Sequence, residues 1–127
     1  MTTKMKTLFY TSKASKEKEK FKIDIQHQIP FILIETVSSI YQLQKSLMRP
    51  LNRISAAVLW ISHHSELTYL IELLPYFDNI RIILILPDRA PENMTLALQL
   101  MPSFISYAGN DLEDITSVLK KINRKVS

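Results

Sequence analysis

The chain has 127 residues, which fits a single domain, and its 46% of apolar and 22% of charged residues indicate a folded core rather than disorder. It contains no cysteine, which excludes disulfides, thiol nucleophiles and cysteine-bound zinc, and a single glycine, Gly109, which excludes a Walker loop and a dinucleotide-binding fingerprint. The net charge of +4 allows an anionic partner such as nucleic acid, but the lysines of "SKEKEKFK" alternate with glutamates as on a solvated helix face, and no recognition motif accompanies them.

No part of the sequence resembles a membrane-spanning or targeting segment. Every apolar run is shorter than the ~20 residues that span a bilayer. The first residues, "MTTKMKTLFYTSKASKEK", lack the apolar block of a secretory signal. We therefore expect a soluble, cytoplasmic protein with no membrane partner. One domain is expected to cover residues 1–127, with residues 1–5 and 124–127 frayed.

Taken in chain order, five short apolar runs alternate with five stretches of helical period. The first helical stretch, "SKEKEKFKIDIQHQ", also allows a strand, because Phe21, Ile23 and Ile25 alternate with polar residues. The predicted strands cover residues 7–10, 30–37, 56–61, 80–86 and 103–107. The predicted helices cover residues 15–28, 40–48, 65–74, 90–101 and 110–122.

Capping residues indicate where three of the helices begin. Ser38 or Ser39 is expected to cap the second helix and Ser65 the third, because a serine hydroxyl accepts hydrogen bonds from the first backbone N–H groups. Asn110 together with Glu113 resembles a capping box at the start of the fifth helix.

Several apolar side chains are predicted to lie in the core. Met94, Leu98 and Met101 face one way at helical spacing, and Trp60 lies inside an apolar strand. Glu66 falls in the first turn of the third helix, where a carboxylate favours the helix dipole, and this structural role is sufficient to explain it.

The third and fourth strands are apolar at nearly every position, which is typical of burial on both faces of a parallel sheet. Strands that alternate with helices through right-handed crossovers form an open, doubly wound α/β sheet. In such sheets, ligands bind beyond the carboxyl ends of the strands. The residues at those ends are Thr11 and Ser12 after the first strand, Ser62, His63 and His64 after the third, Leu86 and Asp88 after the fourth, and Tyr107 after the fifth.

From the fourth strand onward the sequence reads "IRIILILPDRAPENMTLALQLMPSFISYAGNDLEDI". This order of a buried strand, a loop with "PE", a helix with a central "AL", a short strand and a final helix resembles the receiver domain of bacterial response regulators. The resemblance covers essentially the whole chain and lies in pattern and spacing. It implies a flavodoxin-like, CheY-like sheet of five parallel strands in the order 2-1-3-4-5.

The resemblance also implies that the phosphorylation groups of receivers are missing here. In that family, two acids after the first strand hold a divalent metal and an aspartate after the third strand accepts phosphate. A hydroxyl after the fourth strand and a lysine after the fifth bind the phosphoryl oxygens. The matching positions hold Thr11 and Ser12, then Ser62 or, one residue off, Ile61, then Leu86 and Tyr107. The family's aromatic switch position matches Phe104.

These replacements predict a pseudo-receiver without a phosphoacceptor. Mg²⁺ prefers carboxylate oxygens, and without a metal and a lysine the charge of a phosphoryl group is uncompensated. We therefore expect no metal, no cofactor and no enzymatic activity. The expected function is signal transduction through contact with a protein partner or with another domain of a signalling protein, independently of phosphorylation. The surface of the fourth helix, fifth strand and fifth helix, where receivers commonly dimerise, is the expected site of a homodimer.

Two other interpretations of the strand-end loops remain open. One is a small-molecule or metal-binding domain that uses His63, His64 and Asp88, although adjacent histidines are expected to point different ways and not to chelate one ion. The other is a hydrolase-like triad of Ser62, one of the histidines and Asp88, which lacks the glycine-flanked turn that exposes such a serine.

Overall fold

The computed structural model describes residues 5–110 and 112–126, in which strands and helices alternate along the chain. The strands are β1 (Lys6–Thr11), β2 (Leu33–Val37), β3 (Ile54–Trp60), β4 (Arg81–Leu86) and β5 (Phe104–Tyr107). The helices are α1 (Lys16–Gln28), α2 (Ile40–Met48), α3 (Ser65–Glu72), α4 (Pro91–Gln99) and α5 (Glu113–Val126), and a short 3₁₀ helix (Leu74–Phe77) follows α3.

The five strands form one parallel sheet in the order β2-β1-β3-β4-β5. Its register aligns Tyr10 with Leu59, Leu59 with Leu84, and Leu84 with Ile105 across four neighbouring strands. This row belongs to the larger core, in which one face of the sheet packs against α2, α3 and α4. The other face packs against α1 and α5. The predicted doubly wound sheet, with its strand order 2-1-3-4-5, is confirmed.

Burial on both faces explains why β3 and β4 are apolar at almost every position. Ala57 and Leu59 belong to the core under α2, α3 and α4, whereas Val58 and Trp60 belong to the core under α1 and α5. Trp60 is 3% exposed and meets the ring of Phe21 edge to face at a centroid distance of 5.7 Å. The prediction that Trp60 is a core residue is confirmed.

The structure decides two choices that the sequence left open, one in the first helical stretch and one at the start of α2. Residues 16–28 form α1, in which Phe21 and Ile25 are buried and Ile23 is 49% exposed, so the strand reading of "FKIDI" is wrong. A strand would need all three side chains on one buried face, whereas the helix buries only the pair at i and i+4. Ser39, rather than Ser38, caps α2 and accepts a hydrogen bond from the Gln42 N–H.

Two predicted caps are wrong. Ser65 is the first residue of α3, and the cap position is His64, whose side chain makes no capping hydrogen bond. Helix α5 begins at Glu113, so Asn110 lies too far upstream to cap it, and its N–H instead donates to the Tyr107 carbonyl in a turn. In both places the sequence offers a good capping residue, but the connecting loop takes a different path.

The apolar stripe predicted on α4 is also wrong in part. Leu98 is 59% exposed and Met101 is 74% exposed, whereas Ala97 and Leu100 are fully buried. The helix ends at Gln99, its buried residues are Asn93 and Ala97, and the buried Leu100 follows as its C-cap. Each buried position therefore lies one residue before its counterpart in the predicted stripe of Met94, Leu98 and Met101.

The ends of the described chain are ordered within the fold. Met5, in the range expected to be frayed, is fully buried, and its carbonyl accepts a hydrogen bond from the Leu33 N–H. Helix α5 continues to Val126. Residues 1–4 and 127 lie outside the described residues. In the described ranges no helix has the length and apolar content needed to cross a membrane.

A carboxylate fixes the edge strand β2 to its surroundings. Glu35 accepts hydrogen bonds from Arg49, at 2.5 Å, and from the Ser46 hydroxyl, and its Oε1 lies 3.4 Å from the Lys6 ammonium. The hydrogen bond from Arg49 is the main reason why the pKa of Glu35 falls to about 2, against the opposing effect of burial. The cluster joins β2 to β1 and α2.

Candidate functional site

The carboxyl ends of β1, β3, β4 and β5 lie along one edge of the sheet. The register aligns Thr11 with Trp60 and Leu86 with Tyr107. Thr11 and Leu86 are buried, Ser62 and Tyr107 are partly exposed, and Ser12 is exposed. The predicted site positions therefore follow neighbouring strand ends at this edge. Phe104, at the start of β5, is partly exposed and packs against the core under α1 and α5.

The first turn of α3 directs a carboxylate into this edge. Oε1 of Glu66 accepts a hydrogen bond from the Tyr10 hydroxyl at 2.5 Å. Oε2 accepts from the backbone N–H of Ser62 at 2.7 Å and from that of His63 at 2.8 Å. Glu66 therefore ties the end of β1 to the loop after β3, a role beyond the dipole effect expected from the sequence.

The two side-chain partners in this contact shift each other's pKa in opposite directions. Burial opposes ionisation of Glu66, but the hydrogen bonds from Tyr10, His63 and Ser62 outweigh it, and the pKa of Glu66 falls below 4.5. Burial, together with the hydrogen bond to Glu66 and the charge of Glu66, raises the pKa of Tyr10 above 10.0. At neutral pH the site therefore holds a carboxylate and a neutral phenol.

A lysine occupies the space beside Thr11. The Lys18 ammonium donates to the Lys13 carbonyl at 2.5 Å and lies 5.5 Å from the centroid of the Trp60 ring. The Thr11 hydroxyl donates to the same Lys13 carbonyl at 2.9 Å. Lys18 is only 9% exposed, and burial lowers its pKa, partly offset by the charge of Glu66. Helix α1 thus places a buried ammonium next to the loop that follows β1.

The ends of β4 and β5 are covered by an aromatic ring and a guanidinium group. The Tyr107 ring packs against the core under α2, α3 and α4, and the Arg89 guanidinium carbon lies 4.0 Å from the ring centroid. Such stacking is a favourable cation–π arrangement. Tyr107 and Arg89 together cover the end of β5 next to the buried Leu86.

The two adjacent histidines stack on one another. The ring centroids of His63 and His64 are 4.4 Å apart, with an angle of 32° between the ring planes. The prediction that they point different ways is therefore wrong, because the turn before α3 brings the rings onto the same side. Nδ1 of His63 lies 2.9 Å from the Ser65 hydroxyl oxygen. Both histidines are exposed.

Asp88 is engaged in its own loop and not with the histidines. Its Oδ1 accepts hydrogen bonds from the Ala90 N–H at 2.9 Å and from the Asn93 amide at 2.7 Å. Across residues 5–110 and 112–126, no hydrogen bond joins a histidine to the Ser62 hydroxyl, and no group of three or more His, Asp and Glu side chains could hold a metal ion. The structure therefore assembles neither the triad nor a metal site in the part it describes.

Sequence reasoning missed the contacts of Glu66, Tyr10 and Lys18. A weak signal was present, because an acid in the first turn of a helix can accept hydrogen bonds from backbone N–H groups just upstream. The tyrosine partner could not be found this way, since it lies 56 residues away in sequence. The burial of Lys18 also had no local signal, because it belongs to a stretch of alternating charges typical of a solvated surface.

Solved structures with a similar fold include receiver domains. A response regulator receiver protein from Pseudoalteromonas atlantica is 7% identical, with a TM-score of 0.76 over 96% of this chain and 99% of that chain. The signal receiver domain of an HD domain-containing protein from Pseudomonas fluorescens Pf-5 is 11% identical, with a TM-score of 0.75 over 97% of both chains. The isolated REC domain of RcsB from Salmonella enterica serovar Typhimurium, with the phosphomimetic BeF₃⁻, is 14% identical, with a TM-score of 0.73 over 96% of this chain and 90% of that chain.

These similarities establish the flavodoxin-like, CheY-like fold that the sequence pattern predicted. No protein-family model matches the sequence, and no curated protein matches it. At such low identity the likeness concerns the fold alone. Function must therefore be argued from the residues at the strand ends.

Proposed function

We propose that this chain is a receiver-like domain that takes part in signal transduction by binding a protein, independently of phosphorylation. Two observations support the proposal. The fold is shared with receiver domains, and the Glu66 carboxylate accepts a hydrogen bond from the backbone at the carboxyl end of β3. Such a domain would need no metal or cofactor and would catalyse no reaction. The cytoplasmic location expected from the sequence stays a prediction.

The observation that carries the proposal is the engagement of Glu66 by the N–H groups of Ser62 and His63. These donors follow β3, where the receiver family accepts phosphate. Backbone N–H groups at a strand end are natural ligands for phosphoryl oxygens. Here they hold a carboxylate whose negative charge would also repel an incoming anion. A phosphoryl group would first have to displace an anion that belongs to the protein.

The surroundings of Thr11 also disfavour a divalent cation. Thr11 and Lys18 both donate to the Lys13 carbonyl, which places the ammonium within a few ångströms of the threonine hydroxyl. A metal ion there would meet a like charge and would lack the carboxylate oxygens that Mg²⁺ prefers. The metal on which receiver phosphorylation depends would therefore bind poorly at this edge.

Beryllium fluoride tests the proposal because it mimics a bound phosphoryl group. We expect the amide NMR spectrum to be unchanged when BeF₃⁻ and Mg²⁺ are added, compared with Mg²⁺ and fluoride at the same ionic strength. A receiver domain known to bind BeF₃⁻ serves as the positive control. Amide shifts clustered at Ser62 and Tyr107 would contradict phosphorylation independence.

A protein-binding role requires a surface, and we propose the face formed by α4, β5 and α5 as that surface. Leu98, on α4, is 59% exposed and is the apolar side chain that this choice rests on. Exposed apolar side chains that lie together on a domain surface commonly mark protein contacts. We propose that this face binds a second copy of the chain or another domain of a signalling protein.

A further inference from the structure

A basic cavity lies at the opposite edge of the sheet from the candidate functional site. It has a volume of about 460 Å³ and is bordered by the starts of β3, β4 and β5 and by α5. Small-molecule sites commonly measure about 300–1,000 Å³, so the cavity has the size of a ligand site. Its lining residues are Arg53, Ile54, Ser55, Asn79, Arg81, Ser103, Val118, Lys121, Ile122 and Lys125.

Helix α5 contributes two lysines to the cavity from a single face. Val118, Lys121, Ile122 and Lys125 follow the spacing i, i+3, i+4 and i+7, which places all four on one side of a helix. Apolar and cationic side chains therefore alternate along this wall. Long lysine side chains can cover the apolar part and keep their ammonium groups at the mouth.

The strand starts contribute two arginines. Arg81 is the first residue of β4, and Arg53 immediately precedes β3. The register between β1 and β3 skips Ser55, which forms a bulge and also lines the cavity. Arg53 has φ of 56° and Asn79 has φ of 64°. A left-handed backbone is uncommon for an arginine, and here it belongs to the turn that brings the guanidinium group to the cavity.

Among the described residues, no acid lines this cavity to balance its four cations. Within the described ranges, the side chains of Arg53, Arg81, Lys121 and Lys125 have no ion-pair or hydrogen-bond partner. By contrast, Arg49 and Lys6 both pair with Glu35 elsewhere on the surface. Cations that converge without an acid repel one another, and a bound anion would relieve that repulsion.

We propose that this cavity binds a small phosphate ester that carries an apolar or aromatic group. Arginine and lysine both bind phosphate oxygens, the first through its planar fork and the second as a point charge. Ile54, Val118 and Ile122 provide an apolar surface for the rest of the ligand, and Ser55, Ser103 and Asn79 provide hydrogen-bonding groups. The inference concerns the amino ends of the strands and is independent of the role proposed for the carboxyl ends.

The first experiment uses ATP with EDTA as a probe of phosphate plus an aromatic group, and pyrophosphate as a probe of phosphate alone. Thermal unfolding is followed at constant ionic strength. We expect ATP at ten times its Kd to raise the Tm by about 5 °C, with a smaller effect of pyrophosphate. If neither probe shifts the Tm beyond an equal charge of sulfate, the cavity is not a phosphate-ester site and the inference is wrong.

Variants locate the binding on the cavity. The double variant Arg81→Gln, Lys121→Gln removes two lining charges, and Lys16→Gln, Lys20→Gln removes two charges from exposed positions on α1 as a matched control. Isothermal titration with ATP should show Kd raised about tenfold or more in the first variant and by less than about threefold in the second. Equal weakening in both would show that net charge, and not the cavity, binds the probe.

A different class of ligand would also overturn the inference. A fluorescent 20-base-pair duplex is titrated at low and moderate salt to test for a nucleic-acid surface. We expect binding only at low salt, equally weakened in both double variants. If the duplex instead displaces ATP and binds more tightly than ATP at moderate salt, the basic cavity belongs to a nucleic-acid interface and not to a small-molecule site.

Discussion

The substitution Glu66→Gln separates a helix-dipole role from the role in joining β1 to the loop after β3. Glutamine keeps the size of the side chain and still offers one carbonyl oxygen to the N–H groups of Ser62 and His63. Its amide can donate to the Tyr10 oxygen, so the change mainly removes the charge from three hydrogen bonds. Hydrogen bonds to charged groups contribute about 1.5–3 kcal/mol and neutral ones about 0.5–1.5 kcal/mol. Because the losses overlap, we expect the free energy of unfolding to fall by about 2 kcal/mol.

Urea unfolding at pH 7 measures this loss, with Glu92→Gln as the matched control. Glu92 is also an acid in the first turn of a helix, but its side chain is exposed. The control is expected to stay within about 0.5 kcal/mol of the parent protein, as most surface substitutions do. If Glu66→Gln costs no more than Glu92→Gln, the three hydrogen bonds contribute nothing beyond the dipole effect and the reasoning is wrong.

The same variant has a pH signature. The pKa of Glu66 is depressed in the folded state, so its stabilisation is present above the ordinary value of 4.5 and is lost as the pH falls through the folded pKa. The difference in stability between the parent protein and Glu66→Gln should therefore be constant from pH 7 to about pH 5 and shrink at lower pH. A difference that persists unchanged at the lowest pH at which the protein folds would argue for a steric cause.

Two further predictions concern the edge strand and the proposed dimer face. Glu35→Gln should lower the free energy of unfolding at pH 7 by about 1–2 kcal/mol, after allowance for solvent screening. Because the pKa of Glu35 is lowered from 4.5 to about 2, this loss should disappear as the pH falls through that window in urea titrations, and a loss independent of pH would contradict it. If the face of α4, β5 and α5 joins two copies, Leu98→Gln should weaken the dimer about tenfold in sedimentation experiments with little change in Tm, and unchanged association would exclude this face.

The sheet could be predicted because its signal is spread over many residues. The strands β3 and β4 are apolar at almost every position, and no single wrong assignment changes that pattern. The positions of the helix ends are harder to predict, because each depends on a single capping residue. Ser65 and Asn110 are good capping residues, yet neither caps its helix, since the path of the loop decides which hydroxyl or amide reaches the first N–H groups.

The candidate site was harder to predict than the fold for a related reason. The sequence identified which residues follow the strand ends, including Ser62 and Tyr107, because topology alone places them there. The partner of Glu66 is Tyr10, and this contact arises only when β1 and β3 pair in the observed register. The roles that the resemblance gives to Thr11 and Ser12 stay predictions.

The left-handed turns have a consequence for the unfolded chain. Phe31, Leu51, Arg53, Asn79 and Met101 all have positive φ. Glycine would adopt this backbone without strain, but the chain contains glycine only at Gly109. Side chains at these positions cost the native state some conformational energy, yet they also restrict the backbone when the protein is unfolded. Each turn therefore loses less backbone entropy on folding than a glycine turn would. This smaller entropy loss, which arises in the unfolded chain, offsets part of the conformational strain of the native turns.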